Sequence, residues 1–208
     1  MISPSTAIKY RLSFTTGGLF WSESIDLIDR YLHEGDWDSL RTAVVSEDAL
    51  HLRTRAASMR ISREIISRLK ELSEKELSFF NDASTQEQLW MLWVAVCRHY
   101  SFIREFAVEV LRENYITLRH KVDHKDFDAF FHLKAQVSDE VESLKESTRR
   151  KLRQNLFRML READLITESF LITPPILTAQ FIELISEAGM TELDIFPVSQ
   201  IDLQQWRK

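Results

Sequence analysis

The chain has few residues of the kinds that break helices or cross-link a fold. Its 208 residues include four glycines, four prolines and one cysteine. Sandwiches and barrels turn about every dozen residues and need more glycine and proline than this, so the composition predicts an all-α fold. The single cysteine, Cys97, cannot form an internal disulfide and is typical of a protein of the reducing cytoplasm.

Long apolar runs are also missing from the sequence. The longest, residues 89–97, is LWMLWVAVC, whereas a membrane-spanning helix needs about 20 apolar residues. The N-terminal residues lack the charged leader and apolar stretch of a secretory signal. We therefore expect a cytoplasmic protein without a membrane span, and we interpret the apolar run as a buried central helix.

No pattern of catalytic residues is present either. A phosphate-binding P-loop needs the spacing GxxxxGK, which does not occur. His120 and His124 are four residues apart and could face one metal ion, but no third ligand follows at a suitable spacing. Cys97 lies inside the apolar run, where a thiol is a poor nucleophile. The sequence therefore predicts a non-enzymatic protein with no cofactor and no metal.

Helix signals divide the chain into two predicted lobes within one compact, multi-helix unit. Ser73 followed by Glu76 is a capping-box pattern, and Gly35 is placed to end the first helix. The polar stretch 118–125 predicts a joint between an N-terminal helical lobe, residues 1–120, and a C-terminal helical lobe, residues 121–208. Residues 165–173 can form a short β-hairpin or wing.

Other predicted boundaries rest on weaker signals. Ser22 and Ser46 are candidate helix caps. A single helix is expected from about residue 126 to 145, followed by another over residues 148–163. Pro175 suits the start of a later helix that would end at Gly189.

Two segments concentrate the positive charge of a chain whose formal net charge is −5. Residues 53–70 hold six arginines and lysines against one acid, Glu64, and residues 149–161 hold six with no acid. An ordinary surface helix interleaves glutamates four residues from its basic residues, so the absence of acids is unusual. Basic helices on an otherwise acidic chain indicate a surface that binds a polyanion, of which nucleic acid is the obvious example.

On a helical projection, each basic segment has a cationic stripe opposite an apolar one. Arginine binds a phosphate, or the edge of guanine, through two hydrogen bonds at once, and glutamine can contact adenine. Each segment also follows another predicted helix, residues 36–45 in one case and 126–145 in the other, which is the outline of a helix-turn-helix element. The predicted DNA contacts are Arg60, Arg63, Lys70, Arg150, Lys151, Arg153, Gln154, Arg158 and Arg161.

The charge pattern leaves two alternatives open. A charged stripe opposite an apolar one is also what any solvated surface helix shows. The basic stripes could instead dock on acidic surfaces of partner proteins, which would make the chain an assembly module. No apolar stripe remains once the core is assigned, so we expect a monomer.

Four stretches resemble the BrxA family, small core components of the BREX bacteriophage-exclusion systems. They are YRLSFTTGGLFWSES at residues 10–24, RISREIISRL at 60–69, CRHYSFIREFAVEVL at 97–111 and STRRKLRQNLFRMLREADLI at 147–166. The resemblance implies an all-α protein with helix-turn-helix elements that binds double-stranded DNA and works beside other BREX subunits. Methylation and nucleotide hydrolysis would then belong to those other subunits.

Overall fold

The computed structural model describes residues 9–46 and 54–206, except for the side chains of residues 45, 46 and 55. In these ranges the chain is all-α, as its low glycine and proline content predicts. The α-helices are α1 (Trp21–Glu34), α2 (Trp37–Ser46), α3 (Arg55–Leu69), α4 (Glu74–Asp82), α5 (Thr85–His99), α6 (Ser101–Phe106), α7 (Glu113–Ile116), α8 (His124–Ala135), α9 (Asp139–Glu142), α10 (Glu146–Glu162), α11 (Ala179–Ser186) and α12 (Gln200–Trp206). A π-helix, Ala107–Arg112, joins α6 to α7, and a 3-10 helix, Met190–Ile195, precedes α12.

The strongest boundary signals are confirmed. Gly35 ends α1 in the left-handed conformation, at φ 72°, and its N–H donates to the carbonyl of Tyr31. The side chain of Ser73 accepts from the N–H of Glu76, whose carboxylate in turn accepts from the N–H of Ser73. These caps satisfy backbone groups that helix ends leave without partners.

Several weaker boundary predictions are wrong. Ser22 lies inside α1, because the chain enters that helix through Phe20, which is left-handed at φ 59°. The expected helix over residues 126–145 is two helices, α8 and α9, and the chain is extended at Ser138 between them. Pro175 precedes α11 without starting it, since the side chain of Thr178 caps that helix by accepting from the N–H of Phe181. That helix ends at Ser186, before Gly189.

The prediction of a cap at Ser46 is also wrong, because Ser46 is the last residue of α2. Residues 47–53 lie outside the described part of the chain. The next cap in the described chain is Thr54, whose side chain accepts from the N–H of Ala57 at the start of α3.

The expected short β-contact at residues 165–173 is present. Ile166 and Ile172 form an isolated antiparallel bridge across a tight turn, and a second bridge joins Leu171 to Lys121. Among the described residues these bridges do not extend into a sheet. We call residues 165–173 the wing, and its contact with Lys121 attaches it to the polar stretch 118–125.

The apolar run forms the centre of the core, as predicted. Every residue of α5 from Trp90 to Cys97 is buried. The indole N–H of Trp93 donates to the carbonyl of Ile195, and that of Trp90 donates to the carbonyl of Ala163. The helix is therefore bonded through its two buried tryptophans to residues of the predicted C-terminal lobe.

An N-terminal strap, residues 10–20, connects α3 to α10. Phe14 is fully buried, and its carbonyl accepts from the side-chain amide of Asn155 at 2.9 Å. The carbonyl of Gly18 accepts from Arg68 of α3 at 2.8 Å. The next N–H, that of Leu19, donates to the carboxylate of Glu162 at the end of α10. One turn of the strap is thus hydrogen-bonded to a charged side chain from each of the two basic helices, α3 and α10.

Glycine is required at position 18 because the Glu162 carboxylate occupies the space of a side chain. A Cβ atom added there would lie 2.0 Å from Oε2 of Glu162. Gly18→Ala should therefore destabilise the fold by about 1–3 kcal/mol, the usual cost of overpacking a filled site. In a Glu162→Ala background the same substitution should cost much less, since the clash is gone. Urea unfolding of the unaltered protein, the two single variants and the double variant measures these free energies. If the losses of the two single variants simply add in the double variant, the proposed clash is contradicted.

A buried ion cluster holds α4 against α5. Arg98 Nη2 lies 2.8 Å from Oε1 of Glu76, which is almost fully buried, and Arg98 Nε lies 2.7 Å from Oε2 of Glu192. Burial acts to raise the pKa of Glu76, but hydrogen bonds from Arg98 and Ser73 outweigh it and leave the pKa below its ordinary value of 4.5. The carboxylate is therefore ionised in the folded protein at neutral pH.

We expect Glu76→Gln to destabilise the protein by about 3 kcal/mol, because it leaves the buried Arg98 short of charge compensation. The matched control is Lys75→Gln, which breaks the exposed Lys75–Glu187 pair of 2.7 Å and should cost no more than about 1 kcal/mol.

The contribution of the Glu76 carboxylate to stability should also depend on pH. Because the folded pKa of Glu76 is lowered, this contribution is complete above about pH 4.5 and is lost as the pH falls through the folded pKa. Unfolding curves at several pH values measure both effects, and equal losses for the two variants would contradict the assignment.

Candidate nucleic-acid interface

The first basic helix, α3, displays two arginines whose side chains have no partner among the described residues. Its apolar face, which includes Ile65 and Leu69, is buried in the core. Arg60 and Arg63 are exposed on the other side, as the projection predicts, and neither guanidinium group has an ion pair or a hydrogen bond to another described residue. An arginine without a carboxylate partner keeps all its donors available to an external anion.

The two arginines line an open groove that we call the α3 groove. It has a volume of about 460 Å³ and combines three guanidinium groups with several hydroxyl groups. Hydroxyls and guanidinium groups are the side chains that most often contact DNA phosphates. The groove is lined by Arg11, Ser13, Thr15, Thr16, Arg60, Arg63, Glu64, Ser67 and His99.

Among the described residues one carboxylate lines the groove, that of Glu64, and it is already engaged by a buried arginine. Arg68 lies 2.8 Å from Glu64 through Nη2, and its Nε donates to the same oxygen at 2.8 Å. The hydroxyl of Tyr100 also donates to Glu64. Burial and the charge of Glu64 raise the pKa of Tyr100 to about 12, so this hydroxyl keeps its proton. The negative charge of Glu64 is thereby compensated within the protein.

Lys70 does not join Arg60 and Arg63. It follows α3, is absent from the lining of the α3 groove, and has Asp38 as its nearest acid, with Nζ and Oδ1 3.9 Å apart. The structure therefore brings two of the three predicted α3 contacts together and adds Arg11. Sequence reasoning missed Arg11 because it lies in the strap, outside any basic helix.

The second basic helix, α10, is partly neutralised by acids of the same chain. The sequence segment 149–161 contains no acid, but the fold and the flanking residues supply four. Each pairs with at least one predicted arginine: Arg150 with Glu146 at 3.6 Å, Arg153 with Asp128 at 2.7 Å, Arg158 with Glu162 at 2.7 Å and Arg161 with Glu168 at 3.4 Å. We call the row of basic residues from 150 to 161 the α10 stripe. It presents less net positive charge than the sequence predicts.

The pairs differ in how firmly they hold their arginines. The side chains of Arg150 and Arg158 are 64% and 59% exposed, and exposed pairs contribute only about 0–1 kcal/mol, so a phosphate can displace the acid. Arg153 is mostly covered and shares Asp128 with Arg149, whose guanidinium lies over the ring of Phe131 at 4.8 Å. Those two arginines chiefly attach α8 to α10.

Four of the predicted α10 residues come together around one pocket, which we call the α10 pocket. Its volume is about 330 Å³, and Arg150, Arg153, Gln154 and Arg161 line it. The remaining lining residues are His124, Phe157, Glu168 and Phe170. Lys151, whose ammonium donates to Gln154 at 3.3 Å, and Arg158 lie outside it.

Sequence reasoning did not connect His124 or Phe170 with these arginines. The wing brings both Phe170 and Glu168 to α10, and no local pattern signals that approach. Burial lowers the pKa of His124, and the positive charges of Arg153 and Arg161 lower it further, against the opposing charges of Asp123 and Asp128. Burial is the largest of these effects, and the two arginines lie close enough to His124 to add to it.

Three features of the described residues bear on metal binding, nucleophilic chemistry and membrane insertion. No three histidine, cysteine or acidic side chains there are close enough together to hold a metal ion, and His120 and His124 gain no third ligand. Burial raises the pKa of the Cys97 thiol well above its ordinary value, which makes it a poor nucleophile. No helix within residues 9–46 and 54–206 has the length and apolar character that crossing a bilayer requires.

Comparison with known proteins gives a consistent family. The BrxA family model matches residues 8–189. The BREX protein BrxA of Paramagnetospirillum magneticum is 24% identical over 161 residues, covering 77% of this chain and 81% of that protein. The BREX protein BrxA of Bacillus cereus is 24% identical over 124 residues, covering 60% of this chain and 62% of that protein.

A solved structure shares the fold. The crystal structure of an uncharacterized protein from Magnetospirillum magneticum superposes with a TM-score of 0.79 at 20% identity, covering 92% of this chain and 100% of that one. The family match extends over most of the sequence and includes both basic helices. The chain belongs to the BrxA family of the BREX phage-defence systems.

Proposed function

We propose that this protein is a non-enzymatic subunit of a BREX system that binds the phosphate backbone of double-stranded DNA. The observation that carries the proposal is the α3 groove, in which Arg60 and Arg63 have no partner in the described chain and Arg11 and four hydroxyl groups lie beside them. The N–H and O–H donors of these groups can bind phosphate oxygens. Arg60 and Arg63 can do so without first breaking an ion pair within the described chain.

The α10 stripe is the second part of the proposed interface. Arg150, Lys151 and Arg158 are exposed, and their ion pairs, where present, are of the weak exposed kind. From residue 150 to residue 161 the stripe is about 17 Å long, at roughly 1.5 Å per residue, which is enough to follow several phosphates. In the same proposal, the helix-turn-helix elements are α2 followed by α3, and the helices of the predicted segment 126–145, α8 and α9, followed by α10.

The proposal includes a setting for this activity. We infer that the protein acts in the cytoplasm, is a monomer on its own and joins other BREX subunits on DNA. Phosphate contacts position a protein on DNA without reading its sequence. The proposal therefore concerns affinity for the duplex and leaves base recognition aside.

The salt dependence of DNA binding tests the α3 groove. The double substitution Arg60→Gln, Arg63→Gln should weaken binding to a random duplex by about tenfold and reduce the log–log salt slope by about 2, because two phosphate contacts are lost. Lys75→Gln, on α4, removes one positive charge outside the groove and should leave the slope unchanged. Fluorescence anisotropy at several salt concentrations measures both quantities.

The comparison is decisive when the variants remain folded, which far-UV circular dichroism verifies. A double variant with the affinity and salt slope of the unaltered protein would rule out the α3 groove as the DNA contact. An unaltered protein whose binding does not change with salt would contradict the phosphate-binding proposal as a whole.

A second candidate function is docking on acidic surfaces of partner subunits. The observation that favours it is the pairing of four α10 arginines with carboxylates of the same chain, since carboxylates of a partner could replace them. Arg150→Glu, Arg158→Glu and Arg161→Glu in one variant should then abolish co-purification with the other BREX subunits while duplex affinity is retained. Loss of duplex affinity with assembly retained favours DNA binding instead.

A further inference from the structure

The α10 pocket is built by residues from successive turns of one helix. Arg150, Gln154, Phe157 and Arg161 follow one another at intervals of three or four residues, which places them along one face of α10. Arg153 also reaches the pocket from the neighbouring position. Three guanidinium groups and one amide therefore converge on a space of about 330 Å³.

Aromatic rings that contact one another closely line the pocket beside the arginines. The ring of His124 lies 4.8 Å from that of Phe157 and 5.2 Å from that of Phe170, and the two phenylalanine rings are 5.6 Å apart. Phe170 has the left-handed conformation, at φ 66°, and its carbonyl accepts from the N–H of Val122. A left-handed phenylalanine is strained and persists only where its surroundings hold it.

The hydrogen-bonding capacity of the three arginines is largely unused. Arg153 donates through Nη1 to Asp128 at 2.7 Å. The guanidinium groups of Arg150 and Arg161 have ion-pair contacts of 3.6 and 3.4 Å but donate no hydrogen bond to any described residue. Each guanidinium carries five N–H donors, so most donors around the pocket are free to bind an incoming oxyanion.

One carboxylate is part of the pocket lining, that of Glu168 in the wing. Its Oε1 lies 3.4 Å from Nε of Arg161, and the side chain is 90% exposed. A contact of this length at such exposure is weak and easily broken. Glu168 therefore occupies the position of an anionic ligand without satisfying the arginines as a ligand would.

We propose that the α10 pocket binds one phosphate group of a DNA strand, and that Glu168 is a built-in competitor that the phosphate displaces. The inference rests on the proposed function in that the phosphate belongs to DNA. A phosphate offers several acceptor oxygens in a geometry that guanidinium forks match, whereas Glu168 makes a single long contact. His124 and Phe170 line the same pocket and offer apolar surface to the sugar or base attached to that phosphate, so we expect a nucleotide to bind more tightly than inorganic phosphate.

Two sources of phosphate share this chemistry, a bridging phosphodiester and a terminal 5′-phosphate. The probes are therefore inorganic phosphate, a thymidine dinucleotide, TpT, with and without a 5′-phosphate, and a short duplex with and without 5′-phosphates. Binding of both dinucleotides with equal affinity identifies the phosphodiester as the ligand. Binding that needs the 5′-phosphate identifies the DNA end.

The variants separate the roles of the pocket residues. Glu168→Gln removes the competing charge and should tighten binding of the preferred dinucleotide about fivefold. Arg161→Gln should weaken it by about tenfold or more, since a charged hydrogen-bond partner is lost. Glu183→Gln is the matched control, because Glu183 is exposed on α11 and does not line the pocket. Calorimetric titration of the full chain measures the affinities, and the side-chain amide signal of Gln154 in NMR spectra reports binding at the pocket itself.

The outcomes distinguish this inference from the proposed function. Dinucleotide binding that is sensitive to Glu168 and Arg161, in a protein that fails to bind the duplex, supports the pocket and refutes the duplex proposal. Duplex binding that depends on Arg60 and Arg63, with no dinucleotide binding and no effect of Glu168→Gln, overturns the pocket inference and leaves the duplex proposal standing. An Arg161→Gln variant that binds the dinucleotide as tightly as the unaltered protein also overturns it.

Discussion

The peptide group between Gly18 and Leu19 is the contact on which the arrangement of the two basic helices depends. Its carbonyl accepts from Arg68 of α3, and its N–H donates to Glu162 of α10. A strap without helical partners would leave both backbone groups unsatisfied, at a cost of about 1–3 kcal/mol each when buried. Two ionic side chains satisfy them instead, and α3 and α10 are thereby attached to the same turn. The α3 groove and the α10 pocket lie on these two helices.

The fold divides the positive charge into a structural part and a displayed part. Arg68, Arg98 and Arg149 are buried or nearly so and pair with Glu64, Glu76 and Asp128 respectively. A buried charge must be compensated because its desolvation is expensive, so these arginines are committed to the fold. Arg60 and Arg63 are exposed and lack such partners in the described chain, which leaves them free for an external anion. A count of basic residues alone does not make this distinction.

Periodicity and capping residues predicted the parts of the fold that depend on local interactions. The nine-residue apolar run is the buried centre of α5, and Ser73 and Gly35 mark a helix start and a helix end through their own backbone bonds. Predictions failed where a distant or unrecognised contact decides the boundary. The expected helix over residues 126–145 breaks at Ser138, and α11 begins at the side-chain cap of Thr178 after the two prolines. In the candidate site, the helical projection identified the basic residues of α10. It did not show that the wing lies beside them and lines the same pocket.

The sequence by itself determined the helical class of the fold, the central apolar helix and the two stripes of basic residues, because each depends on residues within a few turns of one another. Only the tertiary structure decided which arginines are available. Asp128 comes from another helix and Glu168 from the wing, and each compensates an arginine of a segment that contains no acid. Electrostatic attraction acts through space, so the net charge of a helical stripe is set by the neighbours that folding brings to it.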